Sequence, residues 1–420
     1  MEVTCTLEPV DQRSTSSPGS PRVGWAILAL AIGGFAIGTT EFVTMGLLPQ
    51  ISRGVHVSIP AGGHVISAYA LGVVVGAPLI AALGARLPRK GLLIGLMVAF
   101  LVGNLTASLA GSYGWLVAAR FFTGLPHGAY FGVASLVAAD LVPAGRRGRA
   151  VSRVMLGLAV ANVAGVPAAT WLGQHLGWRS AYVAVAALGA LTVASVGFAV
   201  PRSARNPHAT GRNELRAFTR LQVWLTLAAG AIGFGGMFAM YSYIAPTVLH
   251  VARLGEGFVP LYLLVFGAGM IAGTALGGRL ADWSILRTLV VAFAAMGLLL
   301  AVFTQTAQWL VPGILTGFGI AVATSVVAVV LQMRLMHVAG DAETIGAALN
   351  HSALNLANAL GAWLGGLVIA AGFGYTATSW VGAALAAAGL VVMLVSVRVH
   401  LRRPVGSGAP EPADRSTLVA

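Results

Sequence analysis

Charge is what this sequence has least of. Only 9% of its 420 residues are Asp, Glu, Lys or Arg, against roughly a quarter in an ordinary soluble chain. With a mean hydropathy of +0.86, that scarcity excludes a soluble globular protein and implies a polytopic membrane protein. No polar stretch between apolar runs is long enough to fold alone, so a separate soluble domain is excluded too. Cysteine is nearly absent: Cys5 stands alone, which rules out an intramolecular disulfide. Lysine is as scarce, Lys90 being its single instance, and Arg carries the positive charge. No glycine loop ending in Lys-Ser or Lys-Thr is present, which argues against ATP as a driving force. No Cys/His cluster has the spacing of metal ligands, and no nucleophile is set beside a base. The sequence therefore predicts no metal, no cofactor and no enzyme activity.

In place of charge there is apolar length. A membrane-crossing helix needs about 20 mostly apolar residues. Such runs occur near 22–46, 63–85, 92–110, 115–138, 150–172, 179–200, 221–246, 258–280, 288–307, 309–335, 343–370 and 378–398. The expectation is an all-α integral membrane fold of twelve spans, or eleven if the ninth and tenth, parted only around Gln308, are one. The longest internal polar segment, 201–220, falls between spans six and seven and divides the chain into two six-helix bundles, 22–200 and 221–398. It reads as a cytoplasmic linker, and residues 1–21 and 399–420 as disordered cytoplasmic tails. The first apolar run is too long for the core of a cleaved signal peptide. An internal echo accompanies the division: Ala161-Asn162-Val163-Ala164-Gly165 in span five resembles Ala357-Asn358-Ala359-Leu360-Gly361 in span eleven. Abundant Ala and Gly can also produce such a match by chance.

The formal net charge of +13 is not a nucleic-acid footprint, because the basic residues are scattered through short loops rather than gathered on one patch. Arg86, Arg89 and Lys90, then Arg146, Arg147, Arg149 and Arg153, then Arg202 to Arg220 lie on one side. Arg279, Arg287, Arg334, Arg398, Arg402 and Arg403 continue the series. The other side holds little beyond Arg53, Arg179 and Arg253. Positive loops face the cytoplasm, which places both termini there.

Two charges fall inside spans, Glu41 and Arg120. Span one runs outward and Glu41 lies about 7 Å below its outer end at 1.5 Å per residue; span four starts on that same side and puts Arg120 at similar depth. Ionisable groups inside a bilayer usually face a bundle interior or a water-filled cavity and mark an ion or substrate path. A carboxylate whose proton affinity changes as an Arg approaches would link proton release to a change of state. The alternative is a static ion pair fixing span one to span four. His127, three residues past Gly124, reads either as a proton relay near neutral pH or as a hydrogen-bonded packing residue. His351 carries the same two readings, and His64 sits at an interfacial helix end. A mostly apolar pocket with a few polar groups can be drawn from Met237, Phe238 and Tyr241 of span seven with Tyr69, Asn104, Tyr130, Asn355 and Asn358. Each of these can equally be a helix-packing or lipid-facing residue.

"GTTEFVTMGLLPQIS" (38–52), "RFFTGLPHGAYFGV" (120–133), "LVPAGRRGRAVS" (141–152) and "ANVAGVPAATWLGQHLGWRSAY" (161–182) resemble the major facilitator superfamily. The likeness is greatest to its twelve-helix drug:proton antiporters, in the branch of chloramphenicol-efflux and arabinose-efflux-like exporters. The resemblance implies two six-helix bundles around a central cavity that work by alternating access. Arg120 and Gly124 match the Arg-x-x-x-Gly of that family's fourth helix, with Thr123 where Gln is usual, and this implies a role for Arg120 in proton coupling. The loop Ala81–Lys90 resembles Gly-x-Leu-Ala-Asp-Arg-x-Gly-Arg-Arg, but Ala85 stands where the Asp belongs and Pro88 replaces the second Gly. Arg86 and Arg89 are retained, and the equivalent loop after span eight keeps Asp282. The resemblance implies a conformational switch at these loops, with Asp282 carrying the acid alone or Asp140 substituting in the first half. A solvated loop charge is the other reading of Asp140. Gly157, Gly165, Pro167 and Gly173 resemble the fifth-helix antiporter motif, a helix-contact hinge against ordinary tight packing, although Val166 replaces a Gly. The resulting expectation is a monomeric proton-coupled exporter of a small amphiphilic compound such as chloramphenicol. A carrier of a sugar or nucleoside-like metabolite is the alternative, and a non-transporting membrane receptor the remote one.

Overall fold

In hydrocarbon a lone crossing segment must satisfy its own backbone hydrogen bonds, which leaves the helix as the available form. The computed structural model describes residues 21–84, 87–143, 146–202, 219–339 and 343–401, and every regular element among them is helical. The first half contains α1 (Pro21–Gly46), α2 (Leu48–Gly54), α3 (Ile59–Gly84), α4 (Arg89–Ser108), α5 (Tyr113–Asp140), α6 (Arg147–Val160), α7 (Val166–Leu176) and α8 (Trp178–Ala199). The second contains α9 (Leu221–Gly233), α10 (Gly235–Tyr241), α11 (Ile244–Pro246), α12 (Phe258–Trp283), α13 (Ile285–Thr306), α14 (Leu310–Ala339), α15 (Glu343–Ala370) and α16 (Ala377–Leu401).

Eleven of the crossing segments are long and apolar enough to span a membrane. The twelfth is α5, 28 residues long, whose apolar run is broken by Arg120, Pro126 and His127. Spans nine and ten are separate, since α13 ends at Thr306 and α14 begins at Leu310. Side-chain oxygens start two of the helices: Ser112 Oγ accepts the Trp115 N–H and Ser284 Oγ that of Arg287, each at 3.4 Å, satisfying amides that a helix start leaves unpaired. The expected tails and linker lie almost wholly outside the described residues, and α16 continues to Leu401 instead of stopping at 398. Large apolar side chains such as Trp25, Phe122 and Phe198 stand exposed around the outside, as a lipid-facing surface requires.

The packing repeats between the halves. In the first, α3 packs on α5, α4 on α5 and α8, and α1 on α6 and α8; in the second, α12 packs on α14, α13 on α14 and α16, and α15 and α16 on the α9–α10 span. The halves meet along two seams, α3 against α15 and α12 against α7 with the turn before it. Twelve crossings bring Pro21 and Leu401 to one face, here the basic face; the opposite one is the far face.

The seams are closed toward the far face. Phe42, Met45, Leu48, Ile66 and Val166 of the first half share one buried apolar cluster with Phe238, Tyr241, Tyr243 and Ile244 of the second. Ser67 Oγ donates to the Ala359 carbonyl at 3.1 Å. At the rim, Arg53 Nη2 meets Glu256 Oε1 at 3.0 Å and Gln174 Nε2 donates to the Glu256 carbonyl at 2.9 Å.

Candidate functional site

Arg120 is fully buried on α5, and a chain of amides and hydroxyls fixes it. Asn104 on α4 donates its amide N–H to the Phe100 carbonyl at 2.9 Å. A backbone carbonyl only accepts, so the Asn104 oxygen must face the other way. There it receives the Thr40 hydroxyl at 2.6 Å. With its proton so used, Thr40 Oγ1 accepts from Arg120 Nη1 at 3.1 Å, and the Thr40 carbonyl accepts from Nη2 at 3.2 Å. Two rings complete the cradle: the guanidinium carbon is 4.1 Å from the Tyr69 centroid and 5.6 Å from that of Tyr182, placements that favour a buried cation. Tyr69 OH pairs with His127 Nδ1 at 3.0 Å, and Tyr182 OH with Thr44 Oγ1 at 2.9 Å.

Glu41 is the next residue after Thr40, yet its side chain leaves this cradle. No ion pair within 4.0 Å joins it to Arg120. The reading of the two charges as a static pair is therefore corrected, because Thr40 occupies the guanidinium. Arg120 stays within electrostatic range of the carboxylate without touching it. Glu41 Oε1 instead accepts from Asn358 Nδ2 of α15, across the seam, at 3.4 Å.

The α15 face opposite α1 and α5 is polar. Residues 351, 355 and 358 recur at helical spacing and share one side. His351 stacks on Phe131 of α5 with centroids 5.8 Å apart and planes within 2°. Asn355 donates to the His351 carbonyl at 3.0 Å. The Oδ1 atoms of Asn162, Asn350, Asn355 and Asn358 are all buried without a hydrogen-bond partner, an arrangement that disfavours burial unless a donor arrives. Beside this row lie aromatic side chains from both halves: Phe42 stacks on Phe238 at 6.3 Å and meets Tyr241 edge-on at 5.9 Å, with Met237 buried in the same cluster. The seam thus combines one acid, unpartnered amide oxygens and aromatic faces, a lining suited to an amphiphile.

Residues 30–350 match the family model described as Major Facilitator Superfamily. The chain belongs to the major facilitator superfamily. It is 42% identical over 384 residues to the inner membrane transport protein YdhP of Escherichia coli strain K12, covering 90% of this chain and 97% of that one. It is 34% identical over 399 residues to a chloramphenicol resistance protein of Streptomyces lividans, covering 92% and 98%. Among solved structures, a D-xylose–proton symporter superposes with a TM-score of 0.69 at 16% identity, covering 89% of this chain and 97% of that chain, and shows the shared fold. The chain is accordingly a multi-pass membrane transporter and not an enzyme.

Two of the residues expected in the pocket lie elsewhere. Tyr130 donates to the Leu30 carbonyl at 2.9 Å inside the first-half core, and Asn104 is consumed by Thr40, so neither lines the seam. Asp140 is ion-paired with Arg89 rather than solvated alone. Asp282 stands exposed with no ion pair among the described residues, and Arg86 lies outside the described residues. Gly165 closes a π-helical turn, Ala161–Gly165, and Pro167 follows within the first turn of α7; proline removes an N–H there and π-turns interrupt helices at functional sites. A Cβ on Gly165 would lie 2.3 Å from Thr39 Oγ1, so this break packs directly on α1.

Sequence reasoning missed other residues. Arg334, counted among the loop charges, is buried in α14, where Nη2 donates to Gln222 Oε1 at 3.3 Å. Thr40, Phe42 and Tyr182 were inside quoted motifs but had no charge to single them out. The internal echo does land on corresponding helices: Asn162 and Asn358 are both buried with an unpartnered oxygen.

Proposed function

We propose that this transporter is a proton-coupled secondary active exporter of a small amphiphilic compound, with an antibiotic such as chloramphenicol the first candidate. It works by alternating access, draws on the inward proton gradient without a cofactor, and acts as a monomer in a bacterial cell membrane with both termini cytoplasmic. The observation that supports this most is Glu41, the one acid buried among the described side chains, hydrogen-bonded across the seam on which the halves must part. A carboxylate there is bonded to the opposite half while the far face is closed, and loses that partner when the seam opens. Its protonation is thereby tied to the conformational equilibrium. Arg120, anchored one residue away, supplies a fixed positive charge against which the carboxylate gains and loses its proton. The likeness to a protein named for chloramphenicol resistance favours this compound. The row of Asn oxygens gives the second reading, a hydroxyl-rich metabolite, its support.

The test is substrate-driven proton movement in everted vesicles energised to an acid interior. Addition of chloramphenicol is expected to collapse part of the gradient with the wild-type chain and not with Glu41→Gln. Collapse by D-xylose or uridine but not chloramphenicol would replace the first reading with the second. No response to any of them would overturn both.

A further inference from the structure

Asn358 faces Glu41 with its amide nitrogen and leaves its oxygen buried and unpartnered in the seam. Three residues earlier, Asn355 also turns an unpartnered oxygen to the seam, because its nitrogen is held by the His351 carbonyl. The two amides differ in what holds them. A backbone carbonyl accepts in every state, so Asn355 is fixed. A carboxylate accepts, but a carboxylic acid also donates.

We propose that Asn358 is a polarity switch that converts the protonation state of Glu41 into the donor or acceptor character of the substrate site. This rests on the proton-coupled reading above and names the chemistry the site selects. With Glu41 ionised, the Asn358 NH2 points to the carboxylate, and Asn355 and Asn358 present two acceptors side by side. The ligand class that fits is an amphiphile carrying hydroxyl or amide N–H donors beside an aromatic body able to rest on Phe42, Phe238 and Phe131. When a hydronium ion delivers its proton to the Glu41 carboxylate and leaves as water, the acid donates to the Asn358 oxygen, and the carboxamide turns over within the same volume. Its NH2 then faces the seam, and the substrate's donor meets a donor. One buried hydrogen bond lost in this way weakens binding about tenfold or more. Protonation therefore expels a donor-bearing substrate, the sense required for antiport.

Other titratable groups lie in this part of the molecule. Arg120 of α5 and Tyr69 of α3 are in electrostatic range of Glu41, His127 bonds Tyr69 and Tyr182 of α8 faces Arg120, Tyr241 of α10 meets the adjacent Phe42, and His351 of α15 stacks on Phe131 of α5. Of the other neighbours, α2, α7 and α12 hold their charged residues and His175 near their ends, α6 holds Arg147, Arg149 and Arg153 in its first half, α12 also holds Tyr262 toward the far face, and α11 has none. None of the other groups bonds Asn358, so its amide reports Glu41.

The experiment follows the full-length protein in lipid nanodiscs, with 15N-labelled Asn side chains and 13C-labelled Glu carboxyls, through a pH titration. The Asn358 NH2 signal is assigned by its loss in Asn358→Leu, and that of Glu41 by Glu41→Gln. The expected result is an Asn358 signal that moves with the Glu41 carboxyl midpoint and stands still in Glu41→Gln. An Asn358 signal that ignores a titrating Glu41 overturns the switch and leaves the proton-coupled reading intact. A Glu41 carboxyl that never titrates overturns that reading and the switch with it. In parallel, chloramphenicol affinity is expected to fall at least tenfold across the Glu41 midpoint in wild type. It should be flat in Asn358→Leu. Persistence of the wild-type slope in Asn358→Leu overturns the proposal; failure of chloramphenicol to bind at any pH counts against the exporter reading, and the amide titration then decides the switch.

Discussion

Tyr130 and Asn104 show how much a single hydroxyl or amide depends on its neighbours. Both were drawn into a substrate pocket by residue type, and both are spent inside the first half. Tyr130→Phe removes one buried hydrogen bond, a loss of about 1 kcal/mol. It is expected to lower the melting temperature in detergent and leave the transport KM unchanged; a shifted KM would return Tyr130 to the site. Asn104→Leu removes the acceptor that orients Thr40 and so loosens Arg120. We expect it to cost about 1–3 kcal/mol and to weaken proton coupling, which a thermal-shift assay and vesicle transport would separate. Arg120→Lys keeps the charge but loses the two-pronged grip on Thr40. Its predicted phenotype is normal membrane abundance with transport lost, and full transport would show that charge alone suffices.

At the scale of elements, small residues set how closely helices pack. A Cβ on Gly72 would stand 2.1 Å from the Phe121 carbonyl, and one on Gly124 2.1 Å from the Tyr69 carbonyl. These backbones cannot approach so closely with larger residues, so α3 and α5 are held by their glycines. Gly72→Val is expected to cut the amount of folded protein in the membrane severalfold, read by fluorescence-detected size exclusion. Gly95→Ala, where an added Cβ meets nothing within 4 Å, serves as the control and should be silent. The spans were legible in the sequence because apolar length is a direct requirement of the bilayer. Their internal breaks were not: the π-turns at Ala161–Gly165 and Thr247–Val251 leave hydropathy untouched, and only Gly165 and Pro167 hinted at the first. Arg334 was misplaced for a related reason, since α14 runs to Ala339 and carries it inside.

At the scale of the whole molecule, the all-helical membrane fold and the burial of Glu41 and Arg120 inside it were readable from span lengths and scarce charge. The partners of those charges were not, because Asn358 lies 317 residues from Glu41 and no local pattern announces such a contact. The far-face tie, Arg53 with Glu256, is exposed, and pairs of this kind contribute about 0–1 kcal/mol. Glu256→Arg is expected to raise the far-face-open population only a few fold in spin-label distance distributions, and adding Arg53→Glu to restore it. An unchanged distribution in the single variant would remove the tie from the gate. The central claim is that Glu41 carries the proton while the seam around it carries the substrate. The most direct measurement compares proteoliposomes bearing Glu41→Gln with wild type in two modes, gradient-driven accumulation of chloramphenicol and its exchange without a gradient. The account predicts that accumulation is lost and exchange retained. Accumulation equal to wild type would contradict it and take Glu41 out of the mechanism.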